Sequence, residues 1–175
     1  MKYPKQHGFT LIELIVVMIL IAILSVTALP KFLGKAGTEE ITVQDQLIAV
    51  LRLMQNRAMQ NTEPDACHQV LFTSVQLGSA AVNPCSPTSS FSLQQQNDAD
   101  QLFLSDSNIR LSLFNASTGG TELSSPFRFR FNSLGQPVTD ASPATRFDSG
   151  LRLGVIGTVN AAVCIESEGY IHTCT

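Results

Sequence analysis

The sequence has no tryptophan and only two tyrosines, whereas it has ten phenylalanines. We therefore expect a core of aliphatic side chains and phenylalanine. Histidine is also scarce, with three residues in the chain, and no glycine-framed serine or phosphate-binding loop accompanies them. These absences argue against an enzyme, and we expect no catalytic residues and no cofactor.

Lysine is absent after residue 35, although acidic residues continue to the end of the chain. From residue 36 onward the sequence has seven arginines and thirteen acidic residues, a net charge of −6. An acidic domain repels the phosphate backbone, so nucleic acid is not expected as a partner. One alternative stays open. Arg128 and Arg130 lie side by side on a predicted strand face and would form a basic patch if the strands of Arg110 and Arg152 were their neighbours.

Charge is almost absent from the segment Phe9 to Leu29, whose 21 residues include only Glu13 as a charged side chain. A helix rises about 1.5 Å per residue, so this length covers a bilayer core of about 30 Å, and we predict a transmembrane helix. A carboxylate in such a helix is costly unless a partner cancels its charge. Glu13 is therefore a candidate functional residue.

The residues around Glu13 resemble the processing site of the type IV pilin and pseudopilin family. They combine a short basic leader, Gly8 followed by Phe9, and a glutamate at the start of an apolar helix. The resemblance implies cleavage after Gly8, N-methylation of the new terminus at Phe9, and a Glu13 that neutralises the terminal amine of a neighbouring subunit. Pro30 at the end of the apolar run also fits this family.

The family resemblance implies the organisation of the whole chain. Partners would be other pilin subunits through the N-terminal helix, the prepilin peptidase that also methylates, and the inner-membrane assembly platform. The protein would span the inner membrane once with a periplasmic C-terminal domain, and would lie in an extracellular pilus after assembly. The predicted segments are a leader peptide (1–8), a transmembrane and assembly helix (9–29), an amphipathic helix half (30–63) and a β-rich periplasmic domain (64–175).

An amphipathic helix is predicted after the apolar run, with one apolar stripe facing a sheet. The stripe comprises Val43, Leu47, Val50, Leu51, Met54 and Ala58. A single long helix would be weakest between Pro30 and Gly37, because proline removes a hydrogen bond and glycine has low helix propensity. In pilins the corresponding segment can unwind in assembled filaments, and we expect the same here.

Five to seven strands are predicted after Gln69, because the apolar period changes to two. The clearest is Phe127–Phe131, in which three phenylalanines alternate with two arginines. A long helix followed by strands, without βαβ alternation, predicts an α+β fold with the helix across one mostly antiparallel sheet. The other candidate strands begin at Val70, Leu102, Ile109, Leu151, Ala162 and Tyr170.

A second resemblance concerns the segments Phe127–Gly135 and Glu168–Ile171, which are similar to minor pilins and pseudopilins of the H-type secretion and pilus group. It favours a minor pilin, of the mannose-sensitive haemagglutinin type. The alternatives are a type II secretion pseudopilin and a DNA-binding minor pilin that uses Arg128 and Arg130 in DNA uptake.

The four cysteines all follow the apolar helix, and an even number in an exported domain suggests two disulfides. Of the three possible pairings we favour Cys67–Cys85 with Cys164–Cys174, since this one closes the two shortest loops. The alternative is a zinc site that combines these cysteines with His68 and His172. The acidic segment Asn97–Asp100 is expected to be a solvated loop and not a calcium site.

Overall fold

The chain divides into two units, residues 1–36 and 37–175. The computed structural model describes residues 10–33, 37–61, 68–79, 100–105, 108–116 and 120–174, and for residues 26–33 it describes the backbone alone. The predicted cleavage site at Gly8 and Phe9 and the predicted disulfide Cys67–Cys85 lie outside the described residues. They stay predictions.

The first unit contains helix α1, Leu11–Leu33. It continues through Pro30 for three residues, beyond the apolar run that ends at Leu29. The fixed φ of proline is compatible with a helix, so Pro30 removes one backbone bond without ending α1. Among the described residues, no helix combines the length and the hydropathy needed for a membrane span.

The second unit begins with helix α2, Thr38–Gln60, which follows a glycine with φ of 90° at Gly37. This backbone conformation lies outside the right-handed helical region, so the boundary of α2 is set at Gly37. The predicted stripe is confirmed from Leu47 to Ala58, whose apolar members are at most 6% exposed, while Val43 is half-buried. α2 therefore presents one apolar face to the strands.

Two antiparallel sheets, and not the single sheet that we expected, pack with α2. The five-stranded sheet has the order β3-β2-β1-β5-β6 and the four-stranded sheet has the order β4-β7-β8-β9. The strands of the described residues are β1 Gln69–Phe72, β2 Gln76–Ser79, β3 Gln101–Phe103, β4 Arg110–Asn115, β5 Phe127–Phe131, β6 Pro137–Thr139, β7 Leu151–Ile156, β8 Ala161–Ile165 and β9 Ile171–Cys174. The α+β fold class is confirmed, but the expected five to seven strands are too few.

The core is shared by α2 and both sheets. From β5 it takes Phe129 and Phe131, which lie edge to face with ring centroids 5.7 Å apart. From the other sheet it takes Leu113 and Leu153, both fully buried. The alternation of phenylalanine and arginine therefore places the rings inside and leaves the arginines on the opposite face of β5.

Candidate functional site

The N-terminal helix begins with a local cap between Thr10 and Glu13. The Thr10 backbone N–H and hydroxyl both donate to Glu13 Oε2 at 3.5 Å, and the Glu13 N–H donates to Thr10 Oγ1 at 3.3 Å. This is the capping-box arrangement, in which threonine and a glutamate three residues later satisfy the first N–H groups of a helix. The bonds to the carboxylate are at the limit of hydrogen-bond length, so a stronger donor can displace them.

The apolar side chains of α1 are exposed along the part whose side chains are described. Leu11 is 78% exposed and Ile12 is 66% exposed, and every large apolar residue from there to Leu24 is at least 44% exposed. Such a continuous apolar surface marks contact with a membrane or with another protein. Glu13 is the one acidic residue on this stretch of helix.

The start of α2 is held by the buried carboxylate of Glu40, which is 3% exposed. Glu40 Oε1 accepts the backbone N–H of Thr158 at 2.7 Å and that of Val159 at 3.2 Å. A Cβ on Gly157 would stand 2.5 Å from the same oxygen, so a larger residue at this position would displace the carboxylate. The turn between β7 and β8 is therefore hydrogen-bonded to the first turn of α2.

The C-terminal half of α2 is held by Gln55. Its Nε2 donates to the carbonyl oxygen of Gly135 at 2.7 Å and to that of Gly169 at 2.6 Å. Gly135 and Gly169 both have positive φ, and a Cβ on Gly169 would stand 2.2 Å from the Gly135 oxygen. The structure thus brings together the two segments whose resemblance to H-type pilins was noted from the sequence.

The β8–β9 hairpin carries the disulfide Cys164–Cys174, with a Cα–Cα distance of 5.8 Å. This is one of the two pairings predicted, and it leaves neither sulfur as a thiolate for zinc. Next to it, His172 Nε2 lies 2.8 Å from Glu166 Oε1. The hydrogen bond to Glu166 and a second one to the Thr173 carbonyl raise the pKa of His172 above its usual value.

The arginines of the proposed basic patch lie on different sheets. Arg128 and Arg130 are on β5 of the five-stranded sheet, whereas Arg110 and Arg152 are on β4 and β7 of the four-stranded sheet. Arg130 also donates to the carbonyl oxygen of Ala141 at 3.3 Å. The strands that the patch required as neighbours are therefore not paired, and the four guanidinium groups do not share one sheet face.

Sequence reasoning missed Glu40 and Gln55. Both look like ordinary surface residues of an amphipathic helix, since glutamate and glutamine are common on exposed helix faces. Glu40 lies three residues before Val43 and seven before Leu47, so it continues the apolar stripe by helical spacing. The position of a charged residue on the apolar stripe of α2 is the signal that could have predicted the burial of Glu40.

The chain is an α+β protein. Its exposed apolar helix α1 begins with a cap formed by Thr10 and Glu13. Residues 3–29 match the family model described as the prokaryotic N-terminal methylation motif. This match supports the resemblance of the first residues to type IV pilins.

A comparison with solved structures found a similarity to the crystal structure of the type IV minor pilin FimU of Pseudomonas aeruginosa. The two chains share 9% identity over 78% of this chain and 89% of that chain, with a TM-score of 0.46. A search of curated proteins found no match.

Proposed function

We propose that this protein is a structural subunit of a type IV pilus, a minor one, processed by prepilin peptidase and assembled through α1. The single observation that carries the proposal is the exposed apolar surface of α1 with one acid, Glu13. Such a surface needs a bilayer or the apolar helices of other subunits around it. The methylation motif over residues 3–29 supports the same assignment.

The carboxylate of Glu13 gives the assembly its register. Cleavage after Gly8 would create a terminal amine at Phe9, and that amine and the carboxylate of a neighbouring subunit each cancel the cost of desolvating the other. The bonds from Thr10 to Glu13 are long, so exchange for a charged amine is favourable. Only one stacking position along the helix brings the two charges together.

The proposal includes the cellular route of the subunit. Before assembly α1 would lie in the inner membrane with the domain from Gly37 onward in the periplasm. The inner-membrane assembly platform would then transfer the subunit to the filament. The H-type assignment and the mannose-sensitive haemagglutinin assignment stay predictions from the short segments around Gly135 and Gly169.

Mass spectrometry of the mature protein and counting of filaments test the proposal together. We expect a mature chain that begins at Phe9 with one added methyl group. We also expect Glu13→Ala to abolish filaments, whereas Glu39→Ala, an exposed acid on α2, leaves them unchanged. A mature chain beginning at Met1, or normal filaments in Glu13→Ala, contradicts the proposal. A secretion defect without loss of surface pili would assign the chain to a secretion pseudopilus.

A further inference from the structure

A cavity of about 500 Å³ opens beside the first turns of α2, next to β8 and β9. Ile41 and Val159 line it and are 53% and 45% exposed, and the small side chains of Ala161 and Ala162 lie against it. Cavities of a few hundred Å³ accept a small molecule or an anchoring side chain. The rest of the lining includes the polar side chains of Gln44, Asn160 and Thr173, so the cavity suits an occupant with both apolar and polar groups.

Arg152 is the one charged residue that lines this cavity. Its side chain is half-buried, and its Nε is buried without a hydrogen-bond partner among the described residues. Two other arginines of the domain differ, since Arg57 pairs with Asp100 and Arg146 pairs with Glu168. A partly buried guanidinium without an anion is unfavourable, so the site is incomplete in the isolated chain.

We propose that this cavity binds an acidic side chain from a second copy of this chain, and that Arg152 pairs with its carboxylate. The inference rests on the proposed function, because assembly brings the copies together. The planar guanidinium group matches a carboxylate with two parallel hydrogen bonds. The side chains of Ile41 and Val159 would lie beside the ion pair and lose part of their exposed surface to the partner.

The charge of the domain indicates a second copy as the occupant. The domain has a net charge of −6, so each copy carries more carboxylates than its own arginines can pair. Asp45 is exposed on α2 and has no partner among the described residues. One copy thus offers acids and the next offers a cationic cavity. The acidic surface of one copy and the cavity of the other are different surfaces, so their contact needs no two-fold axis.

Photocrosslinking in cells tests this inference. A photoreactive amino acid replaces Asn160, an exposed residue that lines the cavity, in full-length chains that carry two different tags. We expect a crosslink between the two tags. Arg152→Gln should reduce it about tenfold, equivalent to about 1.4 kcal/mol, while Arg110→Gln should leave it unchanged because Arg110 does not line the cavity.

Thermal unfolding of the same variants checks that the effect is not a folding defect. We expect Arg152→Gln to have an unchanged or higher midpoint, since it removes an unpaired charge, and Arg152→Lys to keep part of the crosslink. A lower midpoint for Arg152→Gln would mean a partner within the chain and overturn the inference. A crosslink only to other proteins, or one insensitive to Arg152→Gln, would do the same.

The two proposals fail in different ways. Cells without filaments of the unmodified chain would contradict the proposed function. Normal filaments in which the residue at position 160 gives no crosslink between the tags would contradict only the role of the cavity.

Discussion

Glu40 is a buried carboxylate that accepts hydrogen bonds from a neighbouring turn. It accepts two backbone N–H groups, from Thr158 and Val159, and the missing side chain of Gly157 gives it room. A second close approach lies next to it, because a Cβ on Gly37 would stand 2.9 Å from Val159 Cγ2. The first turn of α2 is therefore held closely against this turn.

Replacement of Glu40 by alanine should lower the free energy of unfolding by about 2–3 kcal/mol. The reason is that two backbone N–H groups would lose a charged acceptor, and hydrogen bonds to charged groups are the stronger ones. Urea or thermal unfolding of the oxidised protein measures the change. Glu39→Ala is the matched control one residue earlier, where an exposed acid is removed and a change within about 0.5 kcal/mol is expected. Equal effects of the two substitutions would contradict the role assigned to Glu40.

The β8–β9 hairpin is the element in which charge and covalent bonding act together. Cys164 and Cys174 join the strands through a disulfide, and the His172–Glu166 contact joins the end of β8 to β9. Tyr170 stacks on His172 with ring centroids 5.0 Å apart. The last strand of the sheet is thus joined to β8 by the disulfide and by the His172–Glu166 contact, in addition to the backbone hydrogen bonds of the sheet.

The stability contributed by His172 should depend on pH. The hydrogen bond to Glu166 raises the pKa of His172, so its contribution is fully present below about pH 6.5 and is lost as pH rises through the folded-state value. The measurement is the difference in thermal midpoint between wild type and His172→Gln from about pH 5 to pH 8. His68, whose pKa is lowered by burial, has the opposite dependence but cancels in this difference. A difference that does not change with pH would contradict the expectation.

Some elements were predictable from sequence and others were not. β5 was predicted with its exact bounds, because Phe127 to Phe131 alternate strictly between apolar and charged. β2 and β6 were missed, because they are three or four residues long and contain Gly78 and Pro137, which are unfavourable in strands. The division into two sheets depends on which strands pair, and side-chain alternation within one strand does not specify its neighbour.

The candidate site was predictable only in its N-terminal part. Glu13 stands out because one acid interrupts an apolar run, whereas the positions of Arg152 and Gln55 depend on distant residues. Gln55 binds carbonyl oxygens 80 and 114 residues further along the chain. Such contacts have no local signal, so they appear only when the fold is known.

The whole molecule consists of a helix with an exposed apolar surface and a domain with its own core. The described residues of α1 contribute none of the side chains in this core, which takes its residues from Leu47 to Ile171. We therefore regard residues 37–175 as the folding unit.

A fragment of residues 37–175 should unfold in one cooperative transition. The reason is that it retains α2 and both sheets around the complete core. Circular dichroism during thermal unfolding measures this. A fragment of residues 62–175 is the matched control and should not fold, since without α2 the sheets lose the side chains of Leu47 and Leu51. A stably folded control, or a first fragment without a cooperative transition, would contradict the expectation.

The helix α2 depends on residues that are synthesised much later than the helix itself. Gln44 donates to the Ala162 carbonyl oxygen and Arg52 to that of Ile171, across 118 and 119 positions of the chain. During translation the apolar stripe of α2 therefore leaves the ribosome long before β8 and β9 exist to cover it. The apolar stripe of a nascent chain is therefore open to aggregation until the last strand emerges. A truncation that removes β9 alone would already leave α2 without part of the surface on which it packs.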